Sequence, residues 1–241
     1  MSVPSWGKSF EFDRDQFSGR VPLFPLPRTV LLPGGLVPLH VFEPRYRVMV
    51  RDALAGERLL ALALLKPDYE ATYHAAPEIE PWVGIGRLLA EERLDDGRYN
   101  VLVLGVARAR VIEEDRTGPY RVAGVELPPE RDASADELAD WTTELCGALD
   151  ALPVRLVRDA GRLRQLRETL SAGGVSAARF DSLIDLAAGS LHLGVGERQR
   201  LLEAGDPAAR VEALRSIAYA RAAEVERLPG VRPWLPDFSR N

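Results

Sequence analysis

The sequence predicts an α+β fold: a β-rich first half interrupted by one helix, followed by a bundle of helices. Three observations lead there. From Val21 to about Glu126, short apolar runs rich in Val, Leu, Pro and Gly alternate with turn signals, the pattern of strands. Within that stretch, PLHVFEPRYRVMVRDALAG changes to a helical period. After Pro128-Pro129 the texture becomes Ala, Leu, Arg and Glu, with apolar residues at helical spacing. The organisation expected is an N-terminal arm over 1–20, a β-rich unit over 21–130, a helical bundle over 131–228 and an irregular tail over 229–241.

In the β-rich unit, VGIGRLLAEE, the turn Asp95-Asp96-Gly97 and RYNVLVLGVARARVIEE read as a hairpin with a long second arm, bent or bulged at Gly105. The run LLALALL at 59–65 is short enough for a buried strand, and YRVAGVEL at 120–127 is a further strand after the Gly118-Pro119 turn. A compact antiparallel sheet or barrel is expected. Tyr46, Met49, Val50, Ala53 and Leu54 fall on one face of the embedded helix, with Pro44 in its first turn and Gly56 at its stop. Downstream, Ser134-Ala135-Asp136-Glu137 is a capping box for a helix carrying Leu138, Trp141, Leu145 and Leu149 inward. A second helix is expected from Pro153 to Leu170, stopped at Gly173-Gly174. A third begins at Ser176 with Phe180, Leu183, Ile184, Ala187 and Leu191 as its stripe. A short one follows over 197–204, and the last starts at Asp206-Pro207 with Val211, Leu214, Ala218 and Val225 inward.

Composition bounds the function. The chain has 241 residues, 46% of them hydrophobic, enough for a core without metal or disulfide. The single cysteine, Cys146, forms no internal bridge, and the first residues lack the pattern of a signal peptide, so a reducing cytoplasm is expected. No apolar run approaches the ~20 residues that cross a bilayer, so no membrane partner is expected. Thirty-one basic against 36 acidic residues give a net charge of −5, which argues against nucleic acid as the partner.

The sequence carries no complete catalytic or cofactor motif. Gly7-Lys8-Ser9 lacks the glycine five residues upstream that a phosphate loop requires, Ser2 standing there, and Gly84-Ile85-Gly86 lacks a third glycine and a following helix. His40, His74 and His192 are far apart and no C-x-x-C is present, so no metal is expected. There is no G-x-S-x-G elbow. Cys146 neighbours an apolar stripe and reads as core, while Asp95-Asp96 and Glu113-Glu114 fall at turns or strand ends, where solvation explains them. No catalytic residue and no cofactor is assigned. Arg155, Arg158 and Arg162, with Arg164 and Arg167 nearby, are expected on one face of the second helix: a solvated surface laced with Asp159 and Glu168, or an anion or partner patch.

The segment VPLFPLPRTVLLPGGLVPLHVFEPRYRVMVRDAL, residues 21–54, resembles the start of the substrate-binding domain of Lon proteases, also found in free-standing LON-domain proteins. PLFPLP, VLLPG and VPLHVFEPRYR occur in the family's order, followed by Gly84-Ile85-Gly86, Asp96-Gly97-Arg98 and Pro119-Tyr120, and LHLGVGERQRLLEAGDPAARVEAL at 191–214 is similar too. The resemblance implies a PUA-like β-domain followed by a helical bundle. It implies that Pro22, Pro25, Pro33 and Gly34 shape turns and that residues 38–42 form a strand. It further implies a non-catalytic module for protein or peptide segments, unfolded or tagged, or one docking to a protease or quality-control complex. RNA binding through the PUA-like half is the alternative, and a hydrolase with dispersed catalytic residues a distant third. The candidate contact surface is the strand–helix junction, Glu43, Pro44, Arg45, Tyr46 and Arg47, with planar donors beside an amphipathic ring. The competing expectation is structural: Tyr46 covers the sheet, Glu43 caps the helix and Arg45 pairs with a carboxylate.

Overall fold

The computed structural model describes residues 12–72 and 77–226; Gly7-Lys8-Ser9, His74, the Val225 side chain and the 229–241 segment lie outside what it describes. Strands β1 (Arg20–Leu26), β2 (Leu36–Val41), β3 (Leu59–Leu64), β4 (Trp82–Arg93), β5 (Tyr99–Asp115) and β6 (Val122–Glu126) form one sheet, with helix α1 (Pro44–Ala55) between β2 and β3. Helices α2 (Ala135–Asp150), α3 (Ala160–Ala172), α4 (Ala177–Gly189), α5 (Val195–Glu203) and α6 (Pro207–Glu226) follow. The order is β2-β5-β4-β3-β1-β6, and β6 also pairs with β5, which closes a barrel and leaves β2 outside it along β5. β5 can serve both because it is 17 residues long: Tyr99–Leu104 pairs with β2 and Arg110–Asp115 with β6. The arrangement is not wholly antiparallel, since β1 and β3 run parallel, a pairing that the long connection through β2 and α1 permits.

The barrel interior is lined by Val21, Leu23, Val83 and Ile85 with the small residues Ala61, Ala63, Ala107, Ala109 and Ala123. The other face of β3, Leu60 and Leu62, joins Phe24, Leu88, Val101 and Val103 under the buried Tyr46, Met49, Val50 and Ala53 of α1. Two glycines let the chain cross this barrel. Residues 31–35 lie against β4 and β5, with the Gly34 amide donating to the Gly105 carbonyl and the Gly105 amide to the Gly35 carbonyl, both at 2.8 Å. A Cβ on Gly84 would overlap the Leu31 carbonyl, and one on Gly105 the Leu32 carbonyl. The expected irregularity at Gly105 is a bulge: Val106 is the extra residue of β5 opposite Ile85-Gly86. Val30 and Leu32 continue into the helical core, where Trp141 meets Phe180 at 5.6 Å.

The hairpin turn closes as read, with Gly97 at φ +79°. Ser134 and Glu137 form the capping box of α2, and Ser176 caps α4 by accepting from the Arg179 amide. Two expectations need correction. Pro22 and Pro25 lie inside β1 rather than in turns; Pro33-Gly34 is a turn. The helix expected from Pro153 is divided: a 3₁₀ turn, Val154–Leu156, is followed by an extended link, and α3 starts only at Ala160. The cause is local. Val157 bridges to Leu191, and the Asp159 carboxylate caps α3 by accepting from the Arg162 amide at 2.9 Å. Among the described residues no helix is long and apolar enough to cross a membrane.

Candidate functional site

The strand–helix junction is built by Glu43, the extended residue just before α1 and two positions past the end of β2, and Pro44 in the first turn of α1. Glu43 makes no side-chain cap; its carboxylate pairs with Arg45 at 2.9 Å. The Arg45 guanidinium lies 4.6 Å from the Tyr46 ring centre, and that ring packs on Phe24 at 4.5 Å. Tyr46 is 6% exposed, and burial raises its phenol above the ordinary value. It therefore covers the sheet, and its small accessible part lines the pocket beside the junction. The Arg47 guanidinium lies over Gly97 of the hairpin turn, where a Cβ would collide with it. The exposed group here is Phe42, 60% accessible, which sequence reasoning passed over as strand.

Behind the junction lies a pocket of about 140 Å³ walled by Pro25, Pro77 and Tyr120 and holding Arg45, Arg116 and Arg121. Arg116 and Arg121 both donate to one Glu114 oxygen, through their Nε atoms at 3.2 and 2.8 Å. Glu114 is thus a structural partner and not a solvated strand-end acid. Only its density of charged neighbours hinted at this in the sequence.

Arg155, Arg158 and Arg162 do not share a helix: they belong to the 3₁₀ turn, the link and α3 respectively. All three are exposed, and Arg162 pairs with Asp159 at 3.3 Å, Arg167 with Asp150 at 2.7 Å. Cys146 packs beside the helical core, half-buried, and burial raises its thiol. His40 sits on exposed β2 against Asn100 at 2.8 Å. Among the described residues, no three His, Cys, Asp or Glu are grouped to hold a metal.

A concavity of about 690 Å³ lies between barrel and helices. Phe12, Pro33, Val106 and Pro128 give it apolar walls, and Ser182 of α4 reaches its rim. Its floor is ionic. Arg108 of β5 donates to the Ala204 carbonyl and, at 3.0 Å, to the Gly205 carbonyl, satisfying the C-terminal end of α5 and tying barrel to bundle. Arg210, fully buried, donates to Asp181 at 2.6 Å and to Asp185. Burial pushes the Asp185 carboxyl up to about 6 against the opposing pull of Arg210.

The folded chain therefore holds the Asp185 proton more tightly than the unfolded chain, whose carboxyl titrates near 3.9. Between roughly pH 4 and 6 it binds more protons folded, so the Asp185 contribution to stability grows as pH falls through 6 and levels off below 4. The expected size is up to about 3 kcal/mol. Denaturant unfolding of wild type and Asp185→Asn from pH 4 to 8 checks this: the difference between them should widen in favour of Asn as pH rises. A constant difference would refute the coupling.

Residues 20–218 match the family model described as the ATP-dependent protease La (LON) substrate-binding domain. The chain is 29% identical over 209 residues to the Lon protease of Dictyoglomus thermophilum, covering 86% of this chain and 25% of that protein. It is 30% identical over 216 residues to Lon protease 2 of Sorangium cellulosum, with the same coverage. It thus spans about a quarter of the length of these curated relatives. In fold it is similar to the N-terminal domain of Mycobacterium avium complex Lon protease, with a TM-score of 0.59, 22% identity and 83% and 97% of the two chains covered. The Lon N-terminal domain protein from Xanthomonas campestris gives 0.54, 24%, 82% and 97%. With the motifs of β1, β2 and α1 in place and the match running from the first strand into the last helix, the chain belongs to the LON substrate-binding domain family.

Proposed function

We propose that this chain is a non-catalytic protein-recognition module of the cytoplasm, which captures segments of unfolded or tagged proteins or docks to a quality-control partner. The match of residues 20–218 to a substrate-binding domain carries this reading. The cleft between barrel and bundle is the site it points to, because its apolar walls over an ionic floor suit an extended segment of mixed character. The alternative, RNA binding through the PUA-like half, gains no support from the candidate basic face, whose arginines are split over three segments. A division into a β-rich unit over 21–130 and a helical unit over 131–228 belongs to the same proposal, with the cleft at their seam.

Capture of a permanently unfolded protein, reduced and carboxymethylated, tests the reading by anisotropy. Wild type should bind it and ignore the same protein folded. Ser182→Trp, which fills the cleft from an exposed helical position, should weaken capture at least fivefold with an unchanged melting temperature. Wild type that fails to distinguish unfolded from folded protein would refute the function; full capture by Ser182→Trp would refute the cleft.

A further inference from the structure

The cleft between barrel and bundle carries an imbalance of charge that its own ion pairs leave standing. Among the described residues, five carboxylates and three guanidiniums line it. Each guanidinium is already engaged. Arg108, buried, donates to the Leu202, Ala204 and Gly205 carbonyls. Arg14 donates to the Pro128 carbonyl and lies 3.3 Å from Glu130. Arg131 rests over the Trp141 ring and pairs with Glu137 at 2.8 Å and Asp206 at 3.4 Å. Behind the floor, Arg210 holds Asp181 and Asp185 together. With Glu137 and Arg210 included, six carboxylates face four guanidiniums, a surplus of two negative charges. The surplus lies towards solvent. Asp132 is exposed and has no hydrogen bond or ion pair to another described residue. Asp181 gives one oxygen to Arg210 at 2.6 Å and keeps the other 3.9 Å from Arg108, while about half of the Asp206 side chain is open. The N-terminal ends of α4 and α6 also reach the cleft, but the Ser176 and Asp206 side chains accept from the Arg179 and Ala209 amides there.

We propose that the cleft selects unfolded protein segments in which lysine or arginine is interspersed with apolar residues. The apolar side chains lie on Phe12, Pro33, Pro128 and Pro129, and the basic heads reach Asp132, Asp181 and Asp206. Lysine and arginine suit such a cleft because their methylene stems cover apolar surface while the charged head stays at the water-facing rim. Charge complementarity of this kind sets which segment is chosen more than how tightly any segment is held. An acidic segment meets the same surplus as repulsion. This assignment rests on the reading of the chain as a protein-recognition module and adds a charge preference to it.

The test uses the full chain at pH 7.5 and low salt with three fluorescent peptides, capped at both ends. All three share the same apolar residues at alternate positions and carry lysine, glutamine or glutamate between them. The lysine peptide should bind about tenfold tighter than the glutamine peptide, since exposed pairs each add little, and the glutamate peptide should bind weakest. Asp132→Asn combined with Asp206→Asn should remove most of the lysine preference and leave the melting temperature near wild type, because asparagine still caps α6. Asp132→Asn alone, at an exposed residue, should remove about half of it and decides the matter if the double variant is destabilised. Asp140→Asn with Glu168→Gln makes the same change of charge on exposed positions of α2 and α3 outside the cleft and should keep the preference. Equal binding of the lysine and glutamine peptides, no binding of any peptide, or a preference that survives the cleft variants would overturn the proposal. So would an equal loss in the α2 and α3 variant, which would mark attraction to the net charge of the whole chain. Capture of an unfolded protein whose cysteines carry neutral carbamidomethyl groups is measured alongside. If wild type captures it without a lysine preference, only the charge assignment fails; if wild type does not capture it, the recognition reading fails and takes the assignment with it.

Discussion

Gly84→Ala should destabilise the protein by about 3 kcal/mol or more, and Gly105→Ala by a similar amount. Each added methyl would occupy the space of a backbone carbonyl, Leu31 or Leu32, and not the yielding end of a side chain. To admit it, residues 31–35 must lift off the barrel, breaking the two hydrogen bonds to Gly105 and withdrawing Leu31 and Leu32, which are both buried. For a chain of this size the melting temperature should fall by roughly 10 °C. Gly147→Ala is the control. It lies on an exposed part of α2 with open space around its Cβ position, so alanine should stabilise by roughly 0.5–1 kcal/mol through helix propensity alone. Thermal unfolding of the three variants checks the sign as well as the size; a mild effect at Gly84 would mean that the crossing segment is not packed as described.

Arg210→Ala is expected to cost about 3–5 kcal/mol, because it strands Asp185, whose side chain is only 11% exposed, beside a void in the helical core. The loss should be smaller at pH 5 than at pH 8, since a protonated Asp185 no longer needs the guanidinium. Replacing both partners, Arg210→Met with Asp185→Leu, should recover much of the stability, as apolar groups of similar volume do at buried ion pairs. The double variant keeps Arg108, whose bonds to the carbonyls after α5 are independent of the pair. Chemical denaturation of the single and double variants measures the coupling directly; additive losses would show that the two residues stabilise the fold separately.

Much of the fold was legible because its signals are local. The capping box at Ser134, the glycine turn at 97 and the stripe from Phe180 to Leu191 depend on residues a few positions apart. What was hidden depends on distant partners. The parallel pairing of β1 with β3 is set by where α1 carries the chain, and the break before Ala160 by Leu191 reaching back to Val157. Charged residues were the hardest to read. Arg210 and Arg108 look like any arginine of a solvated helix or strand, and only the packing shows that they are buried under Asp181 and Asp185. The candidate surface was half legible for the same reason: Tyr46 has the spacing of an inward residue, but nothing near it in sequence announces Arg116 or Arg121 across the pocket.

Closing the barrel through β6 also dictates what happens while the chain is being made. Val21 pairs with Ala123, about a hundred residues later, so β1 leaves the ribosome well before one of its two neighbours exists. At ordinary rates of translation that interval is roughly 5–20 s, during which an apolar strand stands with open edges. Pro22 and Pro25 remove two of its amide donors, so this nascent strand is a poor template for pairing with another chain. The prolines that seem out of place in a finished strand act as gatekeepers of an unfinished one.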